Sequence, residues 1–108
     1  MTELAKNTCE ACNGQTPKAT PDEIAQYLKE ISGWEVVDGR HIFKKWKFKD
    51  FAEALKQVNA IGALAESEGH HPDIHFGWGF LEVTLTTHVI KGLSKNDFIL
   101  AAKIDGLQ

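Results

Sequence analysis

An α+β fold, a four-stranded antiparallel sheet with three helices packed on one face, is what this sequence predicts. Two kinds of observation carry the prediction. Three stretches with apolar residues at helical spacing each open on a potential capping pair, and two pairs of strand-like runs are each joined by a short glycine-containing turn. Their order along the chain is α-β-β-α-β-β-α, which suits an antiparallel sheet layered with helices.

The first helix is expected from "TPDEIAQYLKEISG". Thr20 caps, Pro21 fits the first helical position and Glu23 completes a capping box, with Ile24, Tyr27, Leu28 and Ile31 on one face and Gly33 available to end it. Trp34 to Val37 and Ile42 to Phe48 read as strands joined through Asp38-Gly39, a pair that tolerates positive φ. Ile42, Lys44, Trp46 and Phe48 then share one face, and Phe43, Lys45 and Lys47 the other. Asp50 and Glu53 open a long second helix whose stripe is Phe51, Leu55, Val58, Ile61 and Ala65, ending at Gly69. Ile74 to Trp78 and Leu81 to Thr87 form the second hairpin around Gly79, with Leu81, Val83 and Leu85 alternating against Glu82, Thr84 and Thr86 and with His88 on the polar face. Ser94 and Asp97 can cap a third helix that stops near Gly106.

A chain of 108 residues closes around one core, so residues 20–108 are expected as a single domain behind a flexible leader, residues 1–19. The leader carries Cys9 and Cys12 as a CxxC, half of a zinc site or a redox pair, and without a second CxxC it reads as a mobile segment with reduced thiols. Hydrophobic residues at 43% and charged residues at 25% exclude disordered and fibrous classes. No apolar run approaches the roughly 20 residues of a membrane span, and the start lacks a secretory pattern, so the expected compartment is the cytoplasm. A net charge of -3 gives no overall attraction to nucleic acid, and "FKKWKFKD" reads as a solvated strand face. One face of the sheet is left needing a cover, for which a second copy of the chain is a common solution.

Four of the five histidines fall between Glu66 and His88. Imidazole, with an unperturbed pKa of about 6.5, both gives and takes protons near neutrality, so the cluster suggests proton chemistry. His41 and His75 sit on hairpins and read as solvated. His70 and His71 differ, because Gly69 breaks the helix before them and Pro72 restricts the chain after them, making a sharp exit where two adjacent rings can serve one pocket. Glu66, one turn back, is within reach of an imidazole. His88 joins the pair only if the strand end lies beside the helix exit, and Asp97 suits a helix cap and a ring-orienting carboxylate equally. Three imidazoles with a carboxylate can also bind zinc, but adjacent histidines are an awkward ligand pair, which puts this reading second.

The assembly "AESEGHHPDIHFGWGFLEVTLTTHVIKGLSKNDF" resembles the pterin-4a-carbinolamine dehydratase family, also called 4a-hydroxytetrahydrobiopterin dehydratase and, in animals, a dimerisation cofactor of a homeodomain transcription factor. The matching elements are Glu66, His70-His71-Pro72, Trp78, "TTH" ending in His88, "GLS" at Gly92 to Ser94, and Asp97. The likeness extends over residues 21–105, through "GWEV", "KFKDFAEAL" and "NDFILAAKID", and does not rest on the leader.

The resemblance implies dehydration of 4a-hydroxytetrahydropterin to quinonoid dihydropterin, in tetrahydrobiopterin recycling, without metal or cofactor. It implies His70, His71 and His88 as the catalytic set, with His70 as the acid toward the 4a hydroxyl. Glu66 and Asp97 support the rings, and Pro72 and Trp78 contact the pterin. It also implies a homodimer or homotetramer, and the animal members' second role offers a non-enzymatic interaction module as the alternative. Two departures stand out: the family often has an acidic residue where this chain has Gly69, for which Glu68 is a partial substitute, and some members have arginine at the place of Asn96.

Overall fold

The computed structural model describes residues 3–11 and 13–107. Its elements are α1 (Pro21–Leu28), β1 (Glu35–Val37), β2 (His41–Lys47), α2 (Phe51–Glu68), β3 (Asp73–Gly77), β4 (Phe80–Leu85) and α3 (Lys95–Asp105), with short 3-10 turns at Leu4–Lys6 and His88–Ile90. The sheet runs in the order β1-β2-β4-β3 with all neighbours antiparallel. This is the predicted α+β architecture.

The three helices start where their capping residues say they should, after Thr20, Asp50 and Ser94. The Thr20 hydroxyl accepts the Glu23 N–H at 3.2 Å while the Glu23 carboxylate accepts the Thr20 N–H at 2.9 Å. α1 nevertheless stops at Leu28, because Lys29 and Glu30 bond back only three residues, to Gln26 and Tyr27, and so tighten out of the helix before Gly33. In the β1–β2 turn Asp38 and Gly39 both take positive φ, 54° and 67°, as a tight hairpin requires.

The sheet face toward the helices carries Ile42, Leu81, Val83 and Leu85, all buried with Ile61, Phe98, Leu100 and Ile104. The α2 stripe also differs from the sequence reading. The buried stripe of α2 is Ala54, Ile61 and Ala65, whereas Phe51 and Leu55 are 43% and 39% exposed. Phe51 lies at the margin of the helix contact and rests on Phe76, ring centroids 5.3 Å apart.

Lys44, read as part of a solvated face, is also largely covered. Its Nζ sits 2.8 Å from Asp105 Oδ1 and 4.9 Å from the Trp46 ring centre, while the Trp34 indole N–H and the Ser32 N–H donate to the same carboxylate at 3.0 and 2.9 Å. Its place in the strand alternation, between Ile42 and Trp46, turns it inward, and Asp105 at the end of α3 supplies the partner charge.

The leader is seated on this body. Leu4, Ala5 and Cys9 belong to the core, and the Leu4 N–H donates to Glu30 at 3.1 Å. Cys12 lies outside the described residues, so the CxxC is seen only through Cys9. Among the described residues no helix is long and apolar enough to cross a membrane.

Candidate active site

The site begins where α2 ends. Gly69 adopts φ 67°, and the N–H groups of Gly69 and His70 return to the carbonyls of Glu66 and Ala65, a Schellman arrangement that reverses the chain within one residue. The reversal sends His70 inward, where it is only 6% exposed. Its Nε2 lies 2.6 Å from Asp97 Oδ1, on the first turn of α3. Asp97 is fully buried, and its other oxygen accepts from the Thr87 hydroxyl at 2.8 Å and the Ser94 N–H at 2.9 Å. Thr87 has one hydroxyl proton and spends it on the carboxylate, so across the 2.7 Å Thr87–Ser94 contact the Ser94 hydroxyl is the donor. A buried carboxylate is tolerated when its lone pairs are met, and here three donors from three segments meet them.

His71 points the other way. Its Nε2 is hydrogen-bonded to Glu66 Oε2, and both side chains are exposed. Glu66 does reach an imidazole across the helix end, that of His71, while His70 takes Asp97. Asp97 serves both as helix cap and as ring-holding carboxylate. Pro72 is half-buried beside the pair, and Trp78 stands in solvent at the β3–β4 turn, 74% exposed.

The strand end and the helix exit do come together, through Thr87. β4 stops at Leu85, because the Thr86 hydroxyl turns to the carbonyls of Arg40 and Gly92 and Thr87 to Asp97. His88 therefore lies beyond the strand, on the 3-10 turn, exposed. It lines a shallow cavity of about 210 Å³ with Arg40, His41, Thr86 and Lys91, and neither His70 nor His71 lines that cavity. His75 pairs at 3.0 Å with Glu82 on the outer sheet face, away from the His70–Asp97 pair. Thr87 is the residue that sequence reasoning missed; its position directly before His88 in "TTH" was the available signal.

The leader closes on the same two elements. The Cys9 N–H donates to Glu68 Oε1 at 2.9 Å, two residues before His70. Asn96, adjacent to Asp97, accepts the Glu10 N–H at 3.0 Å and donates to the Glu10 carbonyl at 2.7 Å. The Cys9 thiol faces the Asn96 carbonyl at 3.6 Å, and burial together with the Glu68 charge pushes it up to about 12. Burial alone would raise Glu68, but the Cys9 N–H and the Lys103 ammonium outweigh it and hold the carboxyl below its usual range. Glu68 is thus engaged with the leader and Lys103 and does not stand in for an acidic residue at position 69. Asn96, where some family members carry arginine, clamps the leader backbone. A larger cavity of about 470 Å³ lies between the leader and the ends of α1 and α3, near Glu10, Tyr27, Lys95 and Asn96, and none of the histidines lines it. Among the described residues no three His, Cys, Asp or Glu side chains are placed to share an ion.

Comparison with known proteins identifies the family. A relative from Rubrobacter xylanophilus, named for pterin-4-alpha-carbinolamine dehydratase, is 47% identical over 99% of this chain and 100% of its own length. One from Alkaliphilus metalliredigens, named likewise, is 46% identical over 100% and 98%. The crystal structure of a transcriptional coactivator/pterin dehydratase from Brucella melitensis superposes with a TM-score of 0.78 at 33% identity, covering 84% of this chain and 98% of that one. A pterin dehydratase-like protein identified as a RuBisCO assembly factor in the alpha-carboxysome superposes with a TM-score of 0.60 at 26% identity, covering 72% and 92%. The family model for Pterin 4 alpha carbinolamine dehydratase matches residues 17–107, so the chain belongs to the pterin 4 alpha carbinolamine dehydratase family.

Proposed function

We propose that the chain catalyses loss of water from a 4a-hydroxytetrahydropterin, giving quinonoid dihydropterin in tetrahydrobiopterin recycling. The observation that carries this reading is the buried His70–Asp97 pair, 2.6 Å apart, in a chain of this family. In the reaction the C4a–O bond breaks as its oxygen takes a proton and leaves as water, N5 gives up a proton, and C4a–N5 becomes a double bond. Protons move and no electrons are exchanged with a second molecule, so positioned acids and bases suffice. The Asp97 carboxylate accepts the Nε2 proton of His70 and faces the positive charge of the ring when both nitrogens carry protons, and in that doubly protonated form the ring is the acid that gives a proton to the departing hydroxyl, returning to neutral imidazole. His71 oriented by Glu66, and His88 carried on the turn after Thr87, serve the N5 side, with Pro72 and Trp78 as pterin contacts. The working form is proposed to be a homodimer or homotetramer.

The test is the decay of chemically generated carbinolamine. The folded protein should accelerate it, and His70→Ala and His71→Ala should each remove most of the acceleration. An unchanged spontaneous rate in the presence of the protein would refute the proposal. A second reading, a non-enzymatic interaction module, is favoured by one observation: Phe51 and Leu55 on α2 are exposed. The words coactivator and assembly factor, used of the two structural relatives, fit it. The same assay separates the two readings, because an interaction module leaves the carbinolamine untouched.

A further inference from the structure

We propose that the cavity lined by Arg40, His41, Thr86, His88 and Lys91 is a binding site for a small anion of the phosphate-monoester class. The cavity carries two permanent cations and two imidazoles, and no aspartate or glutamate lines it. Among the described residues, none of these four side chains has an ion pair or a hydrogen bond, although the chain as a whole is acidic, at -3. Like charges gathered around one concavity repel each other, and an anion in their midst turns the repulsion into attraction.

The walls are held in place by hydrogen bonds to backbone carbonyls. The Thr86 hydroxyl donates to the Arg40 carbonyl at 2.7 Å, tying the β1–β2 turn to the end of β4. The Thr87 N–H donates to the Gly92 carbonyl at 2.9 Å and the Lys91 N–H to the His88 carbonyl at 3.1 Å, closing the loop between them. Lys91 sits at φ 52°, ψ 44°, a left-handed conformation that costs a non-glycine residue about 1 kcal/mol or more and tends to persist at functional positions. The volume, about 210 Å³, is below the range of whole-ligand pockets and fits an ion or the charged end of a longer molecule.

His88 belongs both to this cavity and to the proposed proton-transfer set. Resting on the proposed function, the site would select pterins whose side chain ends in an anionic group over those with a neutral side chain. The anion site itself does not depend on that reading.

Inorganic phosphate is the probe. The histidine ring signals of the full chain are followed by NMR during a phosphate titration at fixed pH, with chloride holding ionic strength constant. Saturable shifts at His41 and His88, with His75 unmoved, are the expected result, with a dissociation constant on the order of 1 mM. Arg40→Gln and Lys91→Gln should each weaken binding about tenfold, and Arg40→Lys less. Non-saturating shifts, or variants that bind as tightly as the parent, overturn the proposal. If a glutamine variant fails to fold, the parent titration and Arg40→Lys decide alone. A second arm compares kcat/KM for carbinolamines with phosphorylated and neutral side chains. A preference for the phosphorylated form that Lys91→Gln abolishes makes the site part of the substrate cleft. Equal rates beside saturable phosphate binding make it a site for free anion, and binding without any dehydration leaves the anion site standing while the proposed function falls.

Discussion

Asp97 touches His70, Thr87 and Ser94 at once, and its two obvious replacements should behave differently. Asparagine keeps the shape and one oxygen for Thr87 and Ser94, but its amide can only donate toward Nε2, so that nitrogen can no longer carry a proton and the ring can no longer act as a doubly protonated acid. Asp97→Asn should therefore fold with near-parental stability and lose turnover by roughly 10²- to 10⁴-fold. Asp97→Ala leaves buried donors unmet and should cost about 1–3 kcal/mol as well. Urea midpoints and carbinolamine decay rates, measured on the same preparations, separate the two effects. Equal turnover in Asp97→Asn and parent would remove this carboxylate from the mechanism.

Cys9 gives a pH signature of its own. Its thiol is raised from 9.0 to about 12 in the folded chain, so the folded state holds that proton more tightly than the unfolded state does. The associated stability is fully present below pH 9.0 and is lost as pH climbs toward about 12. Tyr27, raised from 10.0 by burial and by Glu23 and Glu30, adds to the upper part of that loss. Denaturation midpoints across this range should fall, and Cys9→Ala should flatten the fall just above pH 9.0. A slope identical in Cys9→Ala would show that the thiol is not held as described.

At the scale of elements, the end of α2 and the leader make separable predictions. Gly69 has open space where a Cβ would go, so Gly69→Ala meets no collision, only the backbone penalty of φ 67°. The expected loss is about 1 kcal/mol, smaller for Gly69→Asn, because asparagine tolerates this conformation. The leader contributes Leu4, Ala5 and Cys9 to the core and binds Glu68 and Asn96. Deleting residues 1–10 should cost at least about 2 kcal/mol, since burial of one leucine side chain alone is worth roughly that. Calorimetry would read this as a fall in Tm of several degrees. An unchanged Tm would mean that the leader lies on the surface without holding it. The helix and hairpin starts were legible in the sequence because they are set within four residues, by Thr20 with Glu23, by Asp50 with Glu53 and by Asp38-Gly39. The stops were less so: α1 ended five residues before Gly33, where nothing local forbids another turn.

At the scale of the molecule, the sheet face away from the helices carries Phe43 and Phe80 among Lys45, His75 and Glu82, and α2 leaves Phe51 and Leu55 exposed. If α2 supplies the proposed self-association surface, sedimentation should give a dimer or tetramer mass, and Phe51→Glu together with Leu55→Glu should shift it toward monomer, because two buried charges without partners oppose assembly. A monomer mass for the parent chain at assay concentrations would overturn the assembly proposal.

Taken alone, the sequence determined the seven elements and their order, because period, caps and turns are decided by neighbours in the chain, while the grouping of His70, His71 and His88 with Glu66 and Asp97 came with the family resemblance. Tertiary structure decided which ring meets which carboxylate. It brought Asp97 against His70, twenty-seven residues apart with Thr87 between them in the chain, paired Lys44 with Asp105 sixty-one residues away, and set Cys9 against Glu68 fifty-nine residues away. Those pairings depend on how layers close over one another and which side chain is excluded from water, and no pattern of adjacent residues records that.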